Sequence, residues 1–134
     1  MEKTLIILKP SIPKSKNNEN IKISKENFQK IFFRIIRMNW LKIENKKEEI
    51  IDDQTAKNHY AEKKEHPLFN DVIKYISSDI SIILSISWND AILKVRDIAL
   101  KMRKKYIWES KLYNLIHSSD SLHESNREHN IHFK

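Results

Sequence analysis

The sequence contains no glycine among its 134 residues, where average usage of about 7% would give roughly nine. Glycine-rich phosphate loops of the P-loop or Rossmann kind are therefore excluded, because these loops need glycine where the backbone approaches the phosphate. Backbone positions with positive φ must use other residues, and asparagine and aspartate tolerate them best. The candidates for such positions are Asn17, Asn18, Asn45, Asn70 and Asp71. Any phosphate must then be bound by side chains or by helix N-termini.

Length and composition indicate a single domain, residues 1–134, without a membrane span. Apolar residues make up 40% of the chain, but the longest apolar runs, Leu5–Leu8 and Ile31–Phe33, fall far short of the ~20 residues that a transmembrane helix needs. The N-terminal residues lack the apolar region of a signal peptide. The absence of cysteine excludes disulfides and thiolate metal sites, and we expect a cytoplasmic protein.

The net charge of +7 and the pI near 9.5 favour partners that carry phosphate, such as nucleotides, nucleic acid or anionic lipid. Charge does not choose among these partners. A basic nucleic-acid-binding domain would also explain the aromatic residues among lysines at Lys104–Trp108. That hypothesis predicts salt-dependent binding to DNA or RNA.

Hydrophobic periodicity predicts four strands that alternate with helices. The clearest strand has Ile82, Leu84 and Ile86 at period two. The predicted strands are Thr4–Lys9, Trp40–Glu44, Ile80–Trp88 and Leu115–His117. The predicted helices are Ser24–Met38, Asp53–Lys63, one starting at Pro67, one capped by Asn89 or Asp90, and one from the capping box Ser121-x-x-Glu124 to about Asn130. This order predicts an α+β fold of ferredoxin-like type, an antiparallel sheet sandwich with helices packed on it.

Histidine is the natural candidate for a nucleophile or base at neutral pH. His117 follows an apolar strand and precedes a helix start, where backbone N–H groups could hold a phosphate beside the imidazole. The alternative for His117 is a histidine at the edge of the core. The other five sit among charged neighbours and are expected to be solvated: His59, His66, His123, His129 and His132. No carboxylate or thiol completes a metal set among the last three, so no side-chain metal site is expected.

Several segments together resemble one family. Asn114–Ser121, which reads N-L-I-H-S-S-D-S, resembles the active-site signature N-x-x-H-G-S-D-S of nucleoside diphosphate kinases. Five further segments resemble motifs of that family in the same order. They are Thr4–Pro10 (T-L-x-x-x-K-P), His59–Glu62 with His66–Phe69 (H-Y-x-E…R-P-F-F), Ala91–Arg96 (A-x-x-x-x-R), Met102–Tyr106 (I-R-x-x-F) and Ser125–Glu128 (S-A-x-R-E).

The resemblance implies an enzyme that moves the γ-phosphate of a nucleoside triphosphate such as ATP to a nucleoside diphosphate, by a ping-pong mechanism through a phosphohistidine on His117. It implies Mg²⁺ bound through the nucleotide's phosphates and not by side chains. It also implies a homo-oligomer. The implied contacts are Asn114 with the ribose, Lys9 with the ribose and phosphates, Tyr60, Arg96 and Arg103 with the phosphates, Leu68 with the base, and Ser119 and Glu128 with His117.

Three departures from the family pattern bear on this expectation. Ser118 replaces the glycine after the histidine, and Leu68 replaces the phenylalanine that stacks on the base. The segment between Arg96 and Arg103 is short and lacks the T-N-P stretch with its phosphate-binding threonine, so a dimer at least is expected and a hexamer is in doubt. These changes keep open an alternative, a nucleotide-binding protein with weak or no turnover. Nucleic acid then remains a side activity at most.

Overall fold

The structure is a computed structural model that describes residues 1–11, 23–106 and 114–133. Its strands are β1 (Glu2–Leu8), β2 (Lys42–Glu49), β3 (Ser81–Trp88) and β4 (Ile116–Ser118). Its helices are α1 (Lys25–Met38), α2 (Asp53–His59), α3 (Phe69–Ile76), α4 (Ala91–Tyr106) and α5 (Leu122–His132), with a 3₁₀ turn at Ala61–Lys63 between α2 and α3. The predicted element order and the α+β class are confirmed. No helix in the described part of the chain is long and apolar enough to cross a bilayer.

The four strands form one antiparallel sheet in the order β2-β3-β1-β4. β1 is central and pairs with β3 on one side and β4 on the other. Its residues from Thr4 to Leu8 are all buried, since helices cover both faces of the sheet. The pairing of β4 with β1 sets His117 opposite Ile7, in the middle of a strand of three residues.

Alternate residues of the central strands enter two apolar layers. On one face Ile6 and Leu84 pack with Phe28 and Phe32 of α1. On the other face a smaller layer joins residues of β1 and β3 to α2 and α3. Its buried members are Leu5, Ile7, Ile51, Ala56, Ile73, Ile76 and Ile83. The smaller layer fixes α2, and therefore the chain that leaves it, close to β1 and β4.

Helix caps locate two predicted helices correctly and one only in part. Ser24 and Ser121 accept hydrogen bonds from the N–H groups of Asn27 and Glu124, both at 3.1 Å. The helix predicted for Asp53–Lys63 is instead capped by Asp52 and ends at His59, where the chain turns through Tyr60 into the 3₁₀ turn. That early end points the residues after α2 toward β4 and not along the helix axis.

Strand β2 was predicted for Trp40–Glu44 but runs from Lys42 to Glu49. Its second half is charged, which an edge strand tolerates because one face and one edge remain in water. Trp40 instead occupies the turn after α1 with φ 60°, where its N–H donates to Arg37 O at 3.1 Å and the next N–H, of Leu41, donates to Ile36 O at 3.2 Å. These two bonds form a Schellman turn, which demands a left-handed residue.

The positive-φ positions differ from those expected. Among the described residues they are Trp40 and Asp90, with φ of 60° and 54°. The prediction was therefore wrong for Asn45, Asn70 and Asp71, because helix ends and strand junctions, not side-chain type, decide where the left-handed turns fall. The candidates Asn17 and Asn18 lie outside the described residues.

Candidate active site

One cavity of about 400 Å³ gathers most of the predicted site residues. It lies where β1, β4, α4, α5 and the turn after α2 converge. Seven of the nine residues that the sequence singled out line it: Lys9, Tyr60, Arg96, Arg103, Asn114, His117 and Glu128. Lys9 and Glu128, which are 119 positions apart in the chain, thus face one space.

His117 is held by a carboxylate. Its Nε2 lies 3.0 Å from Oε1 of Glu128, a buried residue of α5, while 21% of the His117 side chain remains exposed. The hydroxyl of Ser119 donates to the same Oε1 at 2.6 Å and accepts from the N–H of Leu5 at 3.1 Å. Ser119 therefore does not line the cavity; it fixes the carboxylate from behind.

The protonation of this pair follows from its contacts. Burial alone would raise the pKa of Glu128, but the hydrogen bond and charge of His117, with help from Ser119 and Arg127, hold that pKa below its usual range. An ionised carboxylate can only accept, so His117 donates from Nε2. In the neutral ring the lone pair then lies on Nδ1, which is free to act as a nucleophile.

Two histidines predicted to be solvated are buried here. His59 is 4% exposed and packs edge-to-face on His117, with ring centroids 4.6 Å apart. Its Nδ1 lies 2.9 Å from Nε2 of His132, which is 3% exposed, and its Nε2 lies 3.8 Å from Oε2 of Glu128. The prediction was wrong for this pair because its two partners are 73 residues apart in the chain. The one available signal was the spacing of His132 four residues after Glu128, on one face of α5.

Burial keeps these two rings neutral. It lowers the pKa of His59 well below its usual range, aided by His117, and it lowers the pKa of His132 to about 4, aided by Lys47. His129 is half-buried and lies 2.7 Å from the hydroxyl of Ser85. His66 and His123 are exposed, as predicted.

Lys9 and Tyr60 present polar groups that burial has altered. Burial, followed by the charges of Arg103 and Lys63, lowers the pKa of Lys9 to about 7. The Lys9 Nζ lies 5.8 Å from the ring centroid of Tyr60. Burial and the charge of Glu128 raise the pKa of Tyr60 well above its usual range, so its hydroxyl stays a neutral donor. Within the described part of the chain that hydroxyl has no hydrogen-bond partner, so it is available to donate to a bound ligand.

Helix α4 carries both arginines of the cavity. Arg96 and Arg103 are seven residues apart on the uninterrupted helix Ala91–Tyr106, so two turns separate them by about 10.5 Å. Arg96 makes one loose ion pair, 3.9 Å from Asp120, with 42% of its side chain exposed. Burial and the neighbouring Arg96 lower the pKa of Arg103 from its usual value. Leu100, between the two, is an apolar part of the lining that the sequence did not suggest.

Two departures from the family pattern can be placed. Ser118 ends β4 without a positive φ, so serine substitutes for glycine there with no left-handed backbone. Leu68 precedes α3 with 40% of its surface exposed, and it is not among the described residues that line the cavity. Its contact with a base stays a prediction.

Comparison with known proteins identifies the family. The family model described as nucleoside diphosphate kinase matches residues 2–134. The nucleoside diphosphate kinase of Thermococcus kodakarensis is 32% identical over all of this chain and 78% of its own length, and that of Acetivibrio thermocellus is 34% identical over 90% of this chain and 88% of its own. Among solved structures, the nucleoside diphosphate kinase of Aquifex aeolicus superposes with a TM-score of 0.78 at 26% identity, over 99% of this chain and 95% of that one.

Proposed function

The chain belongs to the nucleoside diphosphate kinase family, and we propose on that basis that it transfers the γ-phosphate of a nucleoside triphosphate such as ATP to a nucleoside diphosphate through a phosphohistidine on His117. The observation that carries this proposal is the 3.0 Å contact between His117 Nε2 and Glu128. This contact leaves Nδ1 as the nucleophilic nitrogen, in a cavity rich in cations.

In the first half-reaction the lone pair of His117 Nδ1 attacks the γ-phosphorus. The bond from phosphorus to the bridging oxygen of the β-phosphate breaks, and its electron pair leaves with the nucleoside diphosphate. The proton on Nε2 stays there, and the Glu128 carboxylate offsets the positive charge that the ring acquires. In the second half-reaction a terminal oxygen of another nucleoside diphosphate attacks the phosphorus and the N–P electron pair returns to Nδ1.

Positioning and charge neutralisation provide most of the catalysis in phosphoryl transfer. Arg96 and Arg103 offer planar guanidinium groups that can bind phosphate oxygens in a bidentate manner. Lys9 adds an ammonium group, and a bound phosphate would favour its charged form by raising its pKa. The Tyr60 hydroxyl, which has no hydrogen-bond partner among the described residues, adds a neutral donor. Asn114, buried in the cavity lining, is the proposed ribose contact.

Magnesium would enter with the nucleotide and neutralise part of its phosphate charge. The cavity fits that role, because the carboxylates of Glu62, Asp120 and Glu124 line it beside the cations. Carboxylates can hold the water molecules that Mg²⁺ keeps when phosphates are its main ligands. The chain itself supplies the phosphate and ribose contacts.

Incubation with ATP labelled at the γ-phosphate tests the proposal. We expect a label on the protein that is labile in acid and stable in base, that a chase with GDP removes as GTP, and that His117→Ala abolishes. His123→Ala, an exposed histidine, is the matched control and should label normally. Equal labelling of His117→Ala would refute the assignment. Thermal stabilisation by ADP without any label would favour the alternative, a binding protein with little turnover, which the position of Leu68 outside the cavity supports.

A homo-oligomer, a dimer at least, is also part of this proposal. Strand β2 is an edge of the sheet, and two apolar residues beside it are exposed: Trp40 in the preceding turn by 80% and Ile43 near the start of the strand by 37%. Open edges and exposed apolar side chains favour pairing with a second copy. Light scattering after size-exclusion chromatography should give at least twice the 16.1 kDa chain mass. A cytoplasmic location stays a prediction from the sequence.

A further inference from the structure

We propose that His59, His117 and Glu128 form a binding site for a zinc-class divalent cation in the nucleotide-free protein, and that a cation bound there inactivates His117 by reversing its tautomer. The binding part stands on the geometry of the three side chains alone. The inactivation part rests on the proposed function.

The three side chains already have the spacing of a metal site. Their ligand atoms all lie within 4.8 Å of one another. His117 Nε2 is 3.0 Å from one oxygen of Glu128, and His59 Nε2 is 3.8 Å from the other. A tetrahedral zinc ion with bonds of about 2.0–2.2 Å holds its ligand atoms roughly 3.4 Å apart. The two contacts involve different oxygens of Glu128, but with one atom from each residue no separation exceeds 4.8 Å, so the longest must shorten by at most about 1.4 Å. The cavity leaves a fourth position open to water.

The ligands are also held in place by buried neighbours. His59 and Glu128 are 4% and 3% exposed. His132 can accept the Nδ1 proton of His59 across 2.9 Å, which turns the Nε2 lone pair of His59 toward Glu128. Such a hydrogen bond from the second nitrogen of a ligand histidine is the usual support of a metal centre. Ser119 supports Glu128 in the same way from a buried position.

The donor set selects among cations. Two imidazole nitrogens and one carboxylate suit zinc and its neighbours in the first transition row. Mg²⁺ prefers six oxygen ligands and keeps its water, so this trio discriminates against the ion that accompanies nucleotides. The cations that line the cavity oppose a metal ion, and the carboxylates of Glu62, Asp120 and Glu124, together with the ligand Glu128, offset most of their charge; the cations are Lys9, Lys63, Arg96, Arg103 and Arg127.

Binding at Nε2 changes where the His117 proton resides. In the metal-free state the ring donates from Nε2 to Glu128 and its lone pair is on Nδ1. A metal takes the Nε2 lone pair, so the neutral ring must carry its single proton on Nδ1 instead. No proton is gained or lost overall; it moves from one nitrogen to the other. The atom proposed to attack phosphorus is then blocked by hydrogen, although the metal lies on the opposite side of the ring.

The test uses the nucleotide-free, full-length protein with Co²⁺ and Zn²⁺ as probes. We expect one equivalent of Co²⁺ to give the intense visible absorption of a four-coordinate site, and one equivalent of Zn²⁺ to remove it. His59→Asn should weaken Zn²⁺ binding roughly 100-fold in competition with a chelating dye, and His132→Phe roughly 10-fold. His123→Asn, on an exposed histidine of the same helix as His132, should bind as the original protein does.

Nitrogen-15 spectra of the histidine rings give a second measurement that needs no variant. Zinc should shift Nε2 of His59 and His117 and place a proton on Nδ1 of His117. Weak Co²⁺ absorption typical of six-coordination, full binding by His59→Asn, or shifts confined to His66 and His123 would each overturn the proposal. Zinc should also abolish labelling by ATP reversibly, with recovery on adding a chelator. A protein that binds zinc in this way but never labels would retain the metal site and refute only the proposed function.

Discussion

The cavity has two unlike walls. The histidine wall consists of His59, His117 and Glu128, with His132 behind His59, and contacts of 2.9–3.8 Å join these mostly buried residues. The cation wall consists of Arg96 and Arg103 on α4, where Arg96 has a single ion pair at 3.9 Å. Folding therefore arranges the first wall, whereas a bound phosphate must arrange the second. Substitutions in the histidine wall should affect turnover and stability together, and those in the cation wall should affect phosphate binding and turnover with little change in stability.

The largest effect is expected at the carboxylate. Glu128→Ala removes the acceptor that holds His117 Nε2, so kcat should fall about 100-fold or more, with a much smaller change in KM. Glu128→Gln retains a hydrogen-bonding oxygen without the charge and should lose less. Steady-state kinetics with ATP and a nucleoside diphosphate will measure this. A KM effect alone would show that the histidine wall binds substrate and does not set the nucleophile.

A smaller effect is expected on the cation wall. Arg103→Ala should lower kcat/KM by about 10- to 100-fold, since a charged hydrogen bond contributes about 1.5–3 kcal/mol. The free energy of unfolding should remain within about 0.5 kcal/mol, because Arg103 makes no hydrogen bond or ion pair with the described residues. The control is Lys101→Ala on the same helix, whose side chain is 76% exposed and does not line the cavity. Marked destabilisation by Arg103→Ala would erase the distinction between the walls.

Lys9 should make nucleotide affinity depend on pH. Its pKa of about 7 in the free protein must rise when phosphate oxygens surround it, so binding takes up a proton above pH 7 and affinity falls as the pH increases, by up to about tenfold per pH unit. Calorimetry with ADP at pH 6.5–8.5, in buffers of different ionisation enthalpy, will report that uptake. Lys9→Arg stays charged and should lose this component, while the titration of ADP itself remains. Identical slopes for both proteins would contradict the assignment.

The smallest effect on turnover, only a few-fold, is expected at the back of the histidine wall. His132→Phe leaves Nδ1 of His59 buried without its partner, so the free energy of unfolding should fall by about 1–3 kcal/mol. Urea denaturation will measure it. His132→Gln can still hydrogen-bond and should recover part of the loss. Unchanged stability in His132→Phe would mean that the two rings do not support each other.

Local patterns in the sequence were sufficient for the fold, whereas the resemblance to family motifs was needed to predict most of the cavity. The period-two spacing of Ile82, Leu84 and Ile86 predicts β3, because alternate residues of a strand face the same side of the sheet. Ser121 predicts the start of α5, because its hydroxyl caps the helix. The motif residues reach one cavity because β4, which carries His117, lies beside β1 in the sheet. The predicted end of β2 was wrong because its second half is charged. An edge strand tolerates lysine and glutamate there, whereas a buried central strand would not.

Contacts between distant segments were beyond local reasoning. His59 stands beside charged residues in the sequence, yet α5 covers it, and only the folded chain brings His132 to its ring. Trp40 adopts a positive φ because the Schellman turn at the end of α1 requires a left-handed residue at that position. Such features depend on where elements meet, which a single sequence does not display.

The unbroken course of α4 has a consequence for how this protein can vary. Both arginines lie on one continuous helix. The angle between their side chains around the helix axis is therefore fixed by the helix geometry and not by the conformation of a loop. Each residue inserted between them would swing the second guanidinium by about 100° around the axis, out of the cavity. Substitutions along this helix can therefore accumulate, whereas the insertion or deletion of a single residue between the arginines would displace one of them from the cavity.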